Sequence, residues 1–254
     1  MPPTEAPISL PAEFTRLIPL LDADRLRSGL RMLNEWLAVG AAGAVGWPWL
    51  LKSLGDGGPT ARAALLARTG LDDAALPDLG SWRADADFLN IIAAEILDRR
   101  PQTVVELGGG TSTLIAAHCL QRNGGGRLVS IDGGEQFAEE TRRLIAAHGL
   151  EAEVRAAPLH HQDTGWPGAW YAPVPLPDRN DLLIVDGPPW FLHPMVRGAA
   201  ATLFDRIPSG GTVLLDDAAR PGERLVARRW RREWPDFDFH RVANTAGTLV
   251  GVRR

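Results

Sequence analysis

The sequence has one cysteine, one lysine and no long uninterrupted apolar run, and each shortage excludes a class of protein. A single cysteine, Cys119, in 254 residues excludes a disulfide framework and a zinc site built on cysteines. The 27 basic residues include one lysine, Lys52, and are outnumbered by 31 acidic residues, which gives a net charge of -4. A nucleic-acid partner would need a basic surface, and this net charge gives no indication of one.

The longest uncharged run covers residues 36–51 and has 16 residues. It is shorter than the roughly 20 residues that cross a bilayer as a helix, so we expect no membrane span. We interpret it as a buried helix and turn, with a contact surface as the alternative. The first fifteen residues lack the positive start and apolar stretch of an export signal, which predicts a cytoplasmic protein.

The spacing of apolar residues predicts two regions of different structure. Amphipathic patterns predict helices over about 12–38, 42–54, 60–69 and 82–98, and glycines with Pro48 predict a break near residue 40. From Pro101 onward, short apolar runs alternate with helical runs, which is typical of βαβ units. We therefore divide the chain into residues 1–100, a helical cap or oligomerisation region that could form a homodimer, and residues 101–254.

Three runs in the second region, TVVEL, LLIVD and TVLLD, are almost continuously apolar, as in parallel strands covered by helices on both faces. The last runs, FDFHRVA and TAGTLVGVRR, predict an antiparallel hairpin that turns near residues 244–247. The predicted fold is a Rossmann-like, doubly wound, mostly parallel α/β sheet of seven strands with this C-terminal hairpin, preceded by an all-helical N-terminal region.

Each of the three apolar runs closes on acidic residues: Glu106, Asp186, and Asp216 with Asp217. Ligands of open α/β sheets bind beyond the carboxyl ends of the strands, so we expect these acids to meet at one site. A single Asp could instead cap the following helix. Because acidic residues recur at several strand ends, a shared binding site is favoured over separate helix caps.

A glycine loop, ELGGGTST, follows the first strand and opens a helix. It lacks the lysine of a phosphate-binding Walker loop, and Thr113 stands where a dinucleotide fingerprint needs its third glycine. The loop therefore favours a ligand without a pyrophosphate.

This loop, the run LVSID that ends at Asp132, and the later segments DLLIVDGPPW and GGTVLLDDAARPGER resemble one known family. Residues 82–254 are similar to class I S-adenosylmethionine-dependent methyltransferases, in the branch of small-molecule O-methyltransferases with VDGPP and DDxxR signatures. The resemblance implies S-adenosylmethionine as the cofactor.

The resemblance also implies which residues bind that cofactor. Gly108 and Gly110 would meet its methionine part, Glu106 would lie near its ammonium group, and Asp132 would accept hydrogen bonds from the ribose, next to an adenine-side segment at residues 157–159. The full implied set is Glu106, Gly108, Gly109, Gly110, Thr111, Ser112, Asp132, Gly133, Ala157, Pro158, Leu159 and Asp186.

Residues beyond the two later parallel strands are the candidates for chemistry. We take Asp186, His193 and Asp217 as candidate catalytic residues, because each could accept the proton of an acceptor hydroxyl. Trp190 and Arg220 are candidate substrate-binding residues.

Three acids, Asp186, Asp216 and Asp217, could also bind Mg²⁺, since carboxylate oxygens suit hard cations. However, Ala218 stands where catechol O-methyltransferase-like enzymes supply an Asn ligand. A metal-free site with an aspartate base is favoured over the metal site, and a third interpretation pairs Asp217 with Arg220 at the cap of the next helix.

The sequence therefore predicts methyl transfer from S-adenosylmethionine to a small-molecule acceptor by in-line displacement. An intramolecular cyclisation or lyase-type reaction of S-adenosylmethionine is one alternative. A non-catalytic binding module that uses residues 36–51 as its contact surface is the other.

Overall fold

The computed structural model describes residues 23–52, 54–80 and 83–254. The start of the first predicted helix, residues 12–22, lies outside these residues. The helical region consists of α1 (Ala23–Lys52), α2 (Gly58–Thr69), a 3-10 turn (Asp73–Ala75) and α3 (Ala86–Arg99).

Helix α1 is continuous, which corrects the predicted break near residue 40. It passes through its glycines and Pro48 because its C-terminal part packs against helix α6 (Pro221–Glu233). A Cβ atom on Gly46 would lie 3.1 Å from Cδ of Pro221, and the Arg224 guanidinium lies 5.0 Å from the centre of the Trp49 ring. Tertiary packing thus overrides the weak helix propensity of this segment.

The opposite side of α1 is apolar and open to solvent. Leu37 is 62% exposed, Val45 69% and Trp47 59%. Among the residues that the structure describes, no helix has both the length and the apolar content that crossing a bilayer requires.

Strands and helices alternate from residue 103 onward, as predicted. The elements are β1 (Thr103–Leu107), α4 (Thr111–Arg122), β2 (Arg127–Asp132), α5 (Glu135–Ala147), β3 (Glu153–Ala156), β4 (Leu159–His160), β5 (Trp170–Tyr171), β6 (Leu182–Val185), two 3-10 helices (Trp190–Leu192 and Val196–Arg206), β7 (Thr212–Leu215), α6, β8 (Phe237–Val242) and β9 (Thr248–Arg253).

Seven of these strands form one sheet in the order β3-β2-β1-β6-β7-β9-β8. The first five are parallel, and β9 pairs antiparallel with both β7 and β8, so the predicted seven-stranded sheet and closing hairpin are confirmed. The chain moves outward from β1 to β3 and then returns to β6. This reversal leaves a crevice at the carboxyl ends of β1 and β6.

Alternate residues of the strands feed two apolar clusters, one on each face of the sheet. Helix α3 belongs to one of these layers, because Phe88, Ile92 and Ile96 are fully buried together with Val104 of β1 and Leu114 of α4. The last helix of the N-terminal region therefore covers the sheet directly. This packing fixes Asp85, the residue that caps α3, close to the carboxyl edge of the sheet.

Candidate active site

The acids at the ends of β6 and β7 converge, as the sequence predicts. Asp186, Asp216 and Asp217 each place a carboxylate oxygen within 4.8 Å of the others. Their proximity follows from parallel pairing, because Val185 lies beside Leu215 and the next residues of both strands leave the sheet at the same edge. Glu106 lies inside β1 and does not join this group.

Glu106 is fully buried beneath the glycine loop. Its Oε2 accepts hydrogen bonds from the hydroxyls of Thr113, at 2.5 Å, and Ser130, at 2.7 Å. Burial raises the pKa of this carboxyl to about 7, against the lowering effect of these hydroxyls. Oε2 therefore holds the loop from below, and the contact with a cofactor ammonium that the resemblance implies for Glu106 stays a prediction.

The glycine loop is shaped by two positive backbone angles. Gly108 has φ +89°, and a Cβ there would lie 2.7 Å from the backbone nitrogen of Gly187, so only glycine lets the loops after β1 and β6 approach this closely. Gly110 has φ +140° and faces open space, since a Cβ at this position would meet no atom of the residues that the structure describes within 4 Å. Helix α4 begins directly after it, so the loop offers an open cradle at the positive end of a helix.

Asp132 ends β2 beside this loop. Its Oδ1 accepts the backbone N–H of Gly134 at 3.2 Å. Burial raises the pKa of its carboxyl, and backbone amides of the loop partly offset the rise. Ala157 donates its N–H to the Asp132 carbonyl at 2.7 Å, so the predicted adenine-side segment 157–159 does lie next to Asp132.

A residue that the sequence analysis missed, Arg197, lies in the middle of the acid group. It comes from the 3-10 helix Val196–Arg206 and is 5% exposed. Its Nη1 is 2.9 Å from Oδ2 of Asp217, and its Nη2 is 3.3 Å from Oδ1 of Asp186. In the sequence, Arg197 stands out only as the single charge in the apolar run VRGAAATLF. Its spacing from the two aspartates matches no motif that would predict a contact.

A second arginine, Arg220, also binds the carboxylate of Asp217. Its Nη1 lies 2.8 Å from Oδ2 of Asp217 and 4.0 Å from Oε1 of Glu223. The sequence left open that Asp217 pairs with Arg220, and this pairing is present. Asp217 has φ +58°, a left-handed conformation that is uncommon outside glycine, and its carboxylate is shared between the two guanidinium groups.

Two further acids complete the charged group around these arginines. Glu223 is 2% exposed, and burial raises the pKa of its carboxyl to about 7. Asp85, which caps α3, has a pKa raised to about 6 by burial, and its Oδ2 is buried without a hydrogen-bond partner among the described residues. Burial and the neighbouring carboxylates also raise the pKa of Asp216 well above its ordinary value. The helical region therefore contributes a carboxyl to the site.

The remaining candidates differ in exposure. His193 is buried, its Nδ1 accepts the N–H of Met195 at 3.1 Å, and desolvation lowers its pKa. Trp190 is half-buried in its 3-10 helix, whereas Trp166 and Trp170 lie in the apolar core. Trp190 is thus the most exposed of these three tryptophans.

Tyr171, the one tyrosine of the chain, also faces the crevice from below. A Cβ on Gly187 would overlap its hydroxyl oxygen, so the hydroxyl lies against the loop that follows β6. Burial raises the pKa of this hydroxyl well above its ordinary value, and the charges of Asp132 and Asp186 raise it further.

The three clustered acids do not fit a divalent cation while Arg197 is in place. Its guanidinium already binds an oxygen of Asp186 and one of Asp217, and Oδ1 of Asp216 accepts the N–H of Asp217 at 2.8 Å. A positive charge fixed within 3.3 Å of two prospective ligands opposes a second cation there.

Comparison with known proteins agrees with this architecture. Residues 105–218 match a family model described as a methyltransferase domain. The match begins in β1 and ends just after the acids that follow β7. No curated protein sequence matches the chain significantly.

Solved structures of methyltransferases share the fold at low sequence identity. The SAH-bound methyltransferase PaMTH1 of Podospora anserina is 14% identical, covers 77% of this chain and 88% of its own, and has a TM-score of 0.52. The O-methyltransferase of Bacillus cereus in complex with SAH is 16% identical, with coverages of 78% and 92% and a TM-score of 0.52. The O-methyltransferase TomG of Streptomyces achromogenes, in complex with SAM, is 17% identical, with coverages of 77% and 90% and a TM-score of 0.50.

The sheet order is that of the Rossmann-like methyltransferase fold, which the chain shares with these solved structures. The match of residues 105–218 to the methyltransferase-domain model agrees with the family resemblance stated from the sequence.

Proposed function

We propose that the protein is an S-adenosylmethionine-dependent O-methyltransferase that acts on a small-molecule hydroxyl. The observation that supports this most strongly is the open cradle at Gly110, which has Asp132 on one side and the acids after β6 and β7 on the other. The donor set also fits the cofactor, because free loop space suits a methionine part and a carboxylate suits ribose hydroxyls.

Bound S-adenosylmethionine would supply a methyl group on a sulfonium, an activated leaving group. The chain's own residues then have to align the acceptor oxygen with that methyl group and take one proton. The acceptor O–H bond would break and its oxygen would form the new bond to the methyl carbon. The methyl–sulfur bond would break at the same time, S-adenosylhomocysteine would leave, and the proton would pass to a base. No nucleophilic side chain is required.

We propose Asp186 as that base. It is the most exposed of the three clustered acids, with 19% of its side chain exposed against 7% for Asp217. Arg197 holds Oδ1 of Asp186, and we propose that the acceptor's proton passes to Oδ2, the oxygen that Arg197 does not bind. Burial and the neighbouring Asp217 raise the pKa of Asp186, which improves its match to a proton transfer near neutral pH.

Two other predicted catalytic residues receive different roles. Nδ1 of His193 accepts a backbone N–H, so the proton of the neutral ring lies on Nε2, and the ring can donate to an acceptor rather than take its proton. Asp217 is shared by two arginines and is proposed to position them. Trp190 and Arg220 remain the proposed substrate-binding residues.

The helical region is proposed to cover the acceptor pocket. Helix α1 contacts the 3-10 helix Trp190–Leu192 beyond β6, and Asp85 at the start of α3 interacts electrostatically with Asp186 and Asp216. The homodimer predicted through this region remains a proposal. Light scattering of the wild-type chain and a Val45→Glu variant tests it, because a wild-type monomer contradicts the homodimer.

Titration calorimetry with S-adenosylhomocysteine tests the cofactor assignment. We expect one molecule per chain, binding about 10-fold more weakly to Asp132→Asn. Asp178→Asn, a matched change on an exposed loop, should bind like wild type. Absence of binding by the intact protein would overturn the assignment.

Product analysis then separates methyl transfer from the alternatives. Methylated acceptor with S-adenosylhomocysteine supports the proposed reaction. Methylthioadenosine formed without any acceptor indicates intramolecular cyclisation or a lyase-type reaction. Binding without turnover, across a panel of phenols, alcohols and carboxylates, indicates a non-catalytic module.

A further inference from the structure

Arg197 is the most completely bound charged side chain at the carboxyl edge of the sheet. Besides its two ion pairs, its Nε donates to the carbonyl of Pro188 at 3.2 Å and its Nη1 donates to the carbonyl of Asp216 at 3.4 Å. All three of its nitrogens therefore have acceptors, and these come from the segments that follow β6 and β7. A guanidinium held by four acceptors in a planar fork has a fixed orientation.

The guanidinium of Arg197 occupies the position at which a metal ion bound by these acids would lie. It lies between Asp186 and Asp217, where a cation shared by the two strand ends would have to sit. Asp217 binds a second guanidinium, that of Arg220, through the same Oδ2. The charge that these carboxylates require is thus supplied by the chain.

We propose that Arg197 is the resident cation of this acid group, that it excludes a divalent metal ion, and that it positions Asp186 for the acceptor. The exclusion of a metal ion does not depend on whether the protein catalyses the proposed methyl transfer. The positioning role rests on the proposed function. In this proposal Arg197 is a positioning residue, which acts through the carboxylate that it orients.

Binding of Mn²⁺ to the intact wild-type chain tests the exclusion directly. Electron paramagnetic resonance of Mn²⁺, with and without S-adenosylhomocysteine, should detect no stoichiometric binding up to millimolar metal. Activity should survive dialysis against EDTA and should not increase when Mg²⁺ is added. One Mn²⁺ bound per chain that Asp186→Asn releases, or activity that EDTA removes and Mg²⁺ restores, overturns the proposal.

Variants of Arg197 test the positioning role. Arg197→Met should lower kcat by about 100-fold, as expected for a displaced catalytic group, and change the affinity for S-adenosylhomocysteine less than about threefold. Arg197→Lys keeps the charge without the planar fork and should recover part of the loss. An unchanged kcat in folded Arg197→Met, with its pH profile intact, overturns the positioning role.

These measurements distinguish the inference from the proposed function. If the wild-type chain binds no S-adenosylhomocysteine, the proposed function fails and the Mn²⁺ titration still decides the exclusion. If Arg197→Met does not fold, as judged by circular dichroism, the wild-type titration and Arg197→Lys remain decisive.

Discussion

The hydroxyl of Thr113 donates a hydrogen bond of 2.5 Å to Oε2 of Glu106. The same oxygen of Thr113 accepts the N–H of Gly110 at 2.9 Å. One side chain in the first turn of α4 therefore joins the buried acid of β1 to the glycine at the open part of the loop. The strand, the loop and the helix are held as one unit, so the cradle exists before a ligand arrives.

Thr113→Val removes both of these hydrogen bonds without a large change in volume. Oε2 of Glu106 then keeps only the hydrogen bond from Ser130, and the N–H of Gly110 loses its partner. Together these losses cost about 1–3 kcal/mol and loosen the cradle. We expect the affinity for S-adenosylhomocysteine to fall by about 10-fold, measured by calorimetry. Thr113→Ser keeps the hydroxyl and should bind within threefold of wild type. Equal affinities in the two variants would show that the hydroxyl does not shape the loop.

A prediction about catalysis separates Asp186 from His193. Asp186→Asn removes the proposed base at constant shape and should lower kcat by about 100-fold or more. His193→Gln can still donate a hydrogen bond to the acceptor, so we expect it mainly to raise KM. Steady-state kinetics with one acceptor decides between them. A larger loss of kcat in His193→Gln than in Asp186→Asn would assign the base to the histidine.

The parallel strands and their acidic ends could be predicted because both depend on local sequence. An apolar run such as TVLLD fits only a strand covered on both faces, and parallel pairing then places Asp186 and Asp217 at one edge. The C-terminal hairpin could likewise be predicted from two strand-like segments and the turn between them. Predicting these features requires no information about contacts between residues distant in sequence.

Arg197 and the continuity of α1 could not be predicted, because each depends on a partner far away in sequence. Arg197 lies 11 residues from Asp186 and 20 from Asp217, a spacing that fits no local motif. Helix α1 continues past its glycines because Gly46 meets Pro221, and the same glycines in isolation predict a break. Tertiary contacts decided both outcomes.

The pKa values of buried acids predict that stability falls as the pH rises. Burial raises the pKa of Glu106 and of Glu223 from 4.5 to about 7. Between these values the folded chain holds protons that the unfolded chain has released. The contribution of each group is therefore fully present below pH 4.5 and lost as the pH rises through 7, at up to about 1.4 kcal/mol per pH unit for one group.

Urea unfolding at pH 5, 6, 7 and 8 measures this dependence. Glu223→Gln imitates the protonated acid, so the free energy of unfolding should fall less steeply between pH 5 and 7 than in wild type. Glu151→Gln, an exposed matched change, should leave the slope as it is. A wild-type free energy that rises over this interval would contradict the assigned pKa directions.

A last prediction concerns the packing behind the site, where two glycine substitutions should have opposite signs. Gly198 directly follows Arg197, and a Cβ there would overlap the ring of Trp166. Trp166 cannot move aside easily, because the Arg229 guanidinium stacks 4.0 Å from its ring centre and the ring is buried in the core. Gly198→Ala should therefore lower the free energy of unfolding by about 3 kcal/mol.

Gly43→Ala is the matched control in the same experiment. A Cβ on Gly43 meets no atom within 4 Å in the described part of the chain, and the residue lies inside helix α1. Alanine restricts the unfolded chain more than glycine does, so this variant should be more stable by about 0.5–1 kcal/mol. Because Trp230 donates its Nε1–H to the Gly198 carbonyl at 3.0 Å, a displaced backbone at Gly198→Ala should also change tryptophan fluorescence, whereas Gly43→Ala should not. Equal stability of the two variants would mean that Trp166 yields to a methyl group, and that the segment carrying Arg197 is less rigidly held than its contacts indicate.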